Sequence, residues 1–483
     1  MAQSVKTNYI FNLINTLTQV LLPLVTFPYA SRVLLPEGIG HVNSFMSIIN
    51  VIILCTSLGI PLYAIKEIAR IRDNDAQRNS TTIEILLLHV FLTLFGYVVV
   101  FFLGIFVKQI NHDLPLFLLL SLSMLFTTIG CEWYYQAMED FKYITLRAIV
   151  IRLLSIAYLF LFVKTKSDII PYAFFSVFGV LGSNIFNFVR LFRLLDTKYL
   201  HINALHPFRH FKGVSKIFVF NIVTSIYAQL NTVFLGFYHS DNAAGYYTAA
   251  MKLNLTALTL TYALANVMLP RLSNLISTGS KEKFTEMAQK SYDFSFALCL
   301  PMAVGLIFVS PYAMILLSGI NFEPSVSVSQ IISFTILFIA LSNVMGIQML
   351  FPLGYMNKVI KCVTLGCLVD ILACIIFIPK LSQNGAALAY LLAEFAVTFS
   401  MFFIGKKQLN IKYFNSSHII YVFAAVIMSV VLWFESKISL GLVGKLTLMI
   451  ISGATTYILT LFVCKDNIST RIMEILKTKK FFL

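Results

Sequence analysis

The sequence predicts an all-α polytopic membrane protein: about fourteen transmembrane helices, in two six-helix lobes built as parallel pseudo-repeats, plus two extra C-terminal helices. Three observations lead there. From Tyr9 to Cys464 almost every window of roughly 25 residues holds an apolar stretch long enough to cross a bilayer. Of 483 residues, 58% are hydrophobic and only 12% charged, too few to give a core of this length a polar outer face. The apolar pattern of the first half also recurs in the second. Backbone groups cannot stay unpaired in hydrocarbon, so each span is expected to be a helix. Runs that do not alternate, such as Leu114–Leu122, and Ile85–Leu88 within Ile83–Val90, argue against the alternating strands of a membrane barrel.

A crossing needs about 20 mostly apolar residues. The spans are expected at roughly 9–31, 42–63, 83–107, 115–136, 144–163, 169–191, 214–238, 244–270, 291–316, 327–352, 359–379, 384–404, 417–436 and 442–464. The first apolar stretch runs on without a small-residue cleavage site, so it reads as a span and not as a removable signal. With the N-terminus inside, inner segments carry roughly 27 Lys and Arg against about 7 in the outer ones. That bias places both termini in the cytoplasm. The net charge of +15 is thus mostly topological. It is spread over several short loops, which argues against nucleic acid as a partner and fits contact with anionic membrane lipids. Seven cysteines show no metal-ligand spacing and imply no disulfide, metal or cofactor.

The two halves echo each other. Phe11-Asn12-Leu13-Ile14 matches Phe220-Asn221-Ile222-Val223, and Ile60-Pro61 matches Leu269-Pro270. Gly40, Ser44 and Met46 fall opposite Gly245, Ala249 and Met251; Gly130 aligns with Gly346, Glu132 with Gln348 and Lys164 with Lys380. The expected division is an N-terminal lobe at 1–200, a C-terminal lobe at 201–412, and two further helices with a tail at 413–483. Six helices return the chain to its starting side, so the repeats are parallel, as in transporters that work by alternating access.

Polar residues mark the expected path. Asn8, Asn12, Asn15, Gln19 and Thr26 line one face of the first span, with Pro23 and Pro28 placed to bend its end. Asn221, Ser225, Asn231 and Thr232 form a similar stripe on the seventh. A water-lined cavity and interhelical hydrogen bonding both account for such stripes. Charges inside spans are costly and usually face a cavity or a partner. Arg32 sits near the outer end of the first span, Arg152 within the fifth and Lys252 in the outer half of the eighth. If all three face inward they make a cationic track suited to a multiply negative group such as pyrophosphate. Snorkelling of Arg32 and pairing of Arg152 with a carboxylate are the alternatives. Glu132, Asp370 and Glu394 are the intramembrane acids, candidates for gating or for coupling to H+ or Na+. His89 reads as structural. No phosphate loop, dinucleotide glycine pattern or zinc signature is present, and no loop is long enough for a soluble catalytic part. The chain therefore reads as a transporter and not an enzyme.

These residues carry a family likeness. Phe27-Pro28-Tyr29-Ala30-Ser31-Arg32-Val33-Leu34 with Pro36-Glu37-Gly38-Ile39-Gly40 resembles the opening of bacterial polysaccharide flippases of the Wzx type, in the multidrug/oligosaccharidyl-lipid/polysaccharide exporter superfamily. The likeness continues through Ser57–Pro61, Lys66–Arg70, Glu132–Gln136 with Glu139–Phe141, Gly245–Leu253 and Ile378–Glu394. Leu35 stands where the family usually has Gly, and Asn231 where many members have Asp. The resemblance implies transfer of an undecaprenyl-pyrophosphate-linked oligosaccharide to the outer leaflet of the bacterial cytoplasmic membrane, with a polysaccharide polymerase complex as a candidate partner. It implies phosphate or sugar-acid contacts for Arg32 and Lys252 and a gate or structural role for Glu132; a role for Arg152 follows from its position alone. A drug or cation antiporter of the same superfamily and an integral polymerase or ligase are the rival readings.

Overall fold

In a computed structural model, residues 5–195, 205–409 and 411–466 are described, less some side chains within 5–21, 216–228 and 260–270. Their regular structure is helical throughout, as the apolar runs require. The chain divides into two units, Met1–Gly245 and Tyr246–Leu483.

Unit 1 contains α1 (Val5–Ser57), α2 (Ile60–Arg70), α3 (Asp75–Phe106), α4 (Lys108–His112), α5 (Leu114–Gly130), α6 (Glu132–Ala137), α7 (Phe141–Phe162), α8 (Ile169–Leu181), α9 (Asn184–Leu194) and α10 (Phe211–Tyr238). Helix α11 (Asp241–Ser277) opens in this unit and runs on into the next. Unit 2 continues with α12 (Lys281–Ser318), α13 (Ser325–Ile332), α14 (Thr335–Asn343), α15 (Met356–Leu381), α16 (Gln383–Gln408), α17 (Ser416–Ser436) and α18 (Leu442–Val463). Among the described residues, 11 helical stretches are long and apolar enough to span a membrane; the first, Leu22–Arg70, takes in the end of the first expected span and all of the second. The seventh and eighth expected spans fall on α10 and α11.

The outer surface is apolar, and several charges lie in an otherwise apolar interior. Phe95, Phe101 and Phe106 on α3 and Leu153, Leu154 and Leu161 on α7 are exposed, while Glu84, Arg147, Asp370 and Glu394 are buried. Apolar atoms outward and charges inward is the arrangement that hydrocarbon selects.

Several spans are broken, each for a local reason. Within α1 the residue with non-helical dihedrals is Leu35 (φ 62°, ψ 175°), ahead of Pro36, and not Pro23 or Pro28. The ring of Pro36 disfavours helical dihedrals at the residue before it. The conformation adopted is one that essentially only glycine holds without strain, at a cost of about 1–3 kcal/mol. The Leu-for-Gly departure noted in the sequence is thus a strained backbone position. Branching at Cβ worsens that strain. Leu35→Ile, which keeps the apolar volume, is expected to lower stability by about 1–3 kcal/mol, while Leu35→Gly does not. The melting midpoint of each purified variant checks this order.

The fourth expected span breaks at Cys131, which is left-handed (φ 43°) and separates α5 from α6. Side chains of α9 donate to carbonyls in the last turns of α5: Asn184 Nδ2 to Phe126 O at 2.9 Å, and Asn187 Nδ2 to the terminal Gly130 O at 2.6 Å. Helix α6 then buries Trp133, Tyr134 and Tyr135 in the same core as Ile60, Ile68, Ile85 and Leu191. In unit 2, the aligned position Gly346–Gln348 lies in a π-helical turn, Val344–Leu350. Both repeats therefore lose regular α-helix at matching places, and such irregular turns recur at functional sites.

Candidate functional site

The expected cationic residues are reached by different routes. Arg152, on α7, sends Nη1 to α1, where it donates to Asn15 Oδ1 at 3.0 Å, Asn15 O at 3.3 Å and Thr18 Oγ1 at 2.5 Å. The polar stripe of the first span thus holds a guanidinium across a helix–helix contact. All three acceptors are neutral, and among the described residues Arg152 has no carboxylate within ion-pair distance. Its charge is oriented but not cancelled.

Glu132 is engaged elsewhere. Its Oε2 lies 3.7 Å from Arg147 Nη2, and its Oε1 accepts from Gln136 Nε2 at 3.3 Å. Arg147 also donates to Ser183 O at 3.0 Å and is buried. The sequence had singled out Arg152 and given Arg147 no role. Arg147 and Arg152 are five residues apart on one helix, hence turned by about 140°, so one meets Glu132 and the other meets α1. That offset is the signal that would have separated their roles.

Arg32 is exposed and donates Nη1 to Pro28 O at 2.6 Å, folding back over its own helix. It stands 14 residues beyond Thr18, about 21 Å along α1 and within about 40° of the same face. Unit 1 therefore carries two guanidiniums on one side of α1 at well-separated depths. Gln19 is exposed and Asn15 and Asn231 are buried; α10 adds Gln229, whose Oε1 lies 3.5 Å from Asn50 Nδ2. The side chains of Asn12, Asn221 and Ser225 lie outside the described residues.

Unit 2 holds Lys252 on α11. It is half-buried and forms no ion pair among the described residues. Nearby, Asn254 Nδ2 donates to Thr335 Oγ1 at 3.0 Å, which fixes this stretch of α11 against α14. Asp370 and Glu394 lie in the same unit, 0% and 2% exposed. Each is twelve residues from Ser382, the turn that joins α15 to α16, so the antiparallel hairpin brings them to one level. The hairpin is tight there: a Cβ on Gly366 would sit 3.2 Å from Ala393 O and 2.2 Å from Val397 Cγ2. At the position aligned with Glu132, Gln348 Oε1 accepts from Ser291 Oγ at 2.6 Å.

Two further polar clusters had no sequence signal. His41 meets Asp113 and Asp241, as described below. Glu84, 1% exposed, accepts from Arg209 Nη2 at 2.5 Å, His210 Nε2 at 3.0 Å and the backbone N–H of His206 at 2.8 Å. The Tyr63 hydroxyl lies 2.8 Å from His210 Nδ1. This knot ties the segment ahead of α10 to α2 and α3.

Residues 5–276 match the family described as "polysaccharide biosynthesis protein". A protein of Escherichia coli (strain K12) named for O-antigen transport is 24% identical over 82% of this chain and 95% of its own length. A capsular polysaccharide biosynthesis protein of Staphylococcus aureus is 24% identical over 83% of this chain and 98% of its own. Among solved structures, the lipid II flippase MurJ in an inward closed conformation superposes with a TM-score of 0.75 over 95% of this chain and 100% of that one, at 16% identity. A multidrug resistance transporter of the MATE family, in an inward-facing conformation, gives 0.65 over 84% and 95%, at 13% identity. At these identities the two structures establish a shared fold.

Proposed function

The chain belongs to the polysaccharide biosynthesis protein family, and from that premise we propose that it is a flippase for lipid-linked oligosaccharides. Its substrate is an oligosaccharide repeat unit on undecaprenyl pyrophosphate. The protein turns it from the inner to the outer leaflet of the bacterial cytoplasmic membrane by alternating access, with both termini in the cytoplasm. A glycan cannot enter hydrocarbon and needs a polar path, whereas the polyprenyl tail stays in lipid. No bond is made or broken.

The observation that carries this reading is Arg152, a guanidinium inside a span, positioned by the neutral groups of Asn15 and Thr18 and not quenched by an acid. Arg32 and Lys252 are the further cations for the pyrophosphate or sugar acids. Asn12, Asn15, Gln19, Asn221, Ser225 and Asn231 line the path of the glycan. Asp370 and Glu394 are proposed to couple transport to H+ or Na+, and Glu132 with Arg147 to gate it. The names of the relatives agree with this substrate class, and so does the fold of the lipid II flippase.

Reconstituted into liposomes, the protein is expected to move a defined lipid-linked oligosaccharide between leaflets and to leave a cationic dye behind. Transport of the dye alone would favour a drug antiporter, and lengthening of a radiolabelled glycan would favour a polymerase. A polysaccharide polymerase complex is the proposed downstream partner.

A further inference from the structure

Three charged side chains converge at the end of unit 1 that the cation count assigns to the outside. His41 follows the break in α1. Its Nδ1 lies 2.8 Å from Asp241 Oδ2, and its Nε2 2.9 Å from Asp113 Oδ2. Asp241 is the first residue of α11, and Asp113 directly precedes α5. These two are the ion-pair partners facing the imidazole; its own helix presents the Phe45 ring at 4.8 Å.

A neutral imidazole has one N–H and one lone pair. Two ionised carboxylates at hydrogen-bond distance from both nitrogens need two N–H donors, so the arrangement holds an imidazolium. The His41 side chain is 17% exposed and the two acids 47% and 34%, so bulk water reaches the cluster and protons exchange with it.

The same place is closed by backbone contact. A Cβ on Gly40 would fall 1.7 Å from Asp241 O, and one on Gly245 would fall 2.0 Å from Pro36 O. No side chain fits at either position. The contact is reciprocal, as in a two-fold interface, and it joins positions that the sequence repeat aligns. The segments 36–40 and 241–245 therefore touch directly, and the histidine clamp lies across the join.

We propose that His41, Asp113 and Asp241 form a proton-bound latch that holds this end of the protein shut, and that loss of the proton releases it. With the imidazolium present, both ion pairs form. When pH rises and the ring becomes neutral, one nitrogen turns a lone pair toward a carboxylate, and that pair changes from attraction to repulsion. Closure is favoured in acid and opening in alkali. Each outward opening then sheds a proton to the outside. The latch itself rests on this geometry; that it is the outer gate of a flippase rests on the function proposed above.

Hydrogen exchange of the full chain in lipid nanodiscs tests the latch without any substrate. After correction for intrinsic rates, peptides covering 34–45 and 239–250 are expected to exchange at least tenfold faster at pH 8.5 than at pH 5.5. His41→Ala and Asp241→Asn should remove this step by raising exchange at pH 5.5. His41→Arg should restore protection at pH 8.5, because its charge persists. Gly245→Ala should raise exchange at both pH values by wedging the join, with no titratable group touched. Peptides of α15 and α16 serve as the folding control. A wild-type protein with no pH step, or an Asp241→Asn protein that keeps the full step, overturns the proposal. Transport failing while the step persists would instead count against the flippase reading.

Discussion

Replacing Arg152 with alanine is expected to cut transport of an anionic lipid-linked glycan by roughly 10- to 150-fold, the loss of one charge-assisted hydrogen-bonding group. The fold should survive. The groups left behind, Asn15 and Thr18, are neutral, and the Thr18 hydroxyl already donates to Asn15 O at 2.8 Å. No buried charge is abandoned, and only the Asn15 Oδ1 loses its donor, so the stability loss should be about 1–3 kcal/mol. Arg152→Lys keeps the charge and loses the planar fork, and an intermediate rate is expected. Translocation rates and melting midpoints of the same preparations separate the two effects. Loss of folding in parallel with loss of transport would make Arg152 a packing residue.

Glu84→Ala is expected to have the opposite profile. Glu84 is the common acceptor for Arg209, His210 and the backbone of His206, and it is almost fully buried. Removing one partner of a buried ion pair costs about 3–5 kcal/mol when the other charge stays buried. Arg209 is 52% exposed and turns to water, which places the expected loss toward about 3 kcal/mol. Glu84→Gln retains an acceptor and should lose less. The thermal midpoint in detergent reads this directly. An unchanged midpoint for Glu84→Ala would show that the segment ahead of α10 is held by other means.

The class of fold was legible because hydrocarbon imposes it: long apolar runs admit only helices, and the repeat of Gly130 and Glu132 at Gly346 and Gln348 matched real breaks in the helices. The level pairing of Asp370 and Glu394 could be read as well, since both lie on one helical hairpin. Other features depend on contacts that spacing does not encode. His41 meets Asp241 across two hundred residues of chain, and Glu84 meets His210 across 126. Leu35 was visible as an odd residue, but its consequence is a dihedral angle. Spacing placed Arg152 inside a span but could not give its partners: it engages an amide and a hydroxyl of α1, and among the described residues no carboxylate lies within ion-pair distance. At Asn15 the polar stripe makes interhelical hydrogen bonds, one of the two alternatives it offered, and their donor is a charge that spacing alone did not name.

If intramembrane cations receive the anionic headgroup, transport must depend on its charge. The comparison to make in proteoliposomes is between two substrates with the same polyprenyl tail and glycan, one joined by pyrophosphate and one by a neutral linkage. Wild-type protein should translocate the pyrophosphate substrate faster, and a triple variant with Arg32, Arg152 and Lys252 changed to Gln should lose that preference. Equal rates for both substrates in wild-type protein, or an unchanged preference in the folded triple variant, would show that these cations do not receive the headgroup.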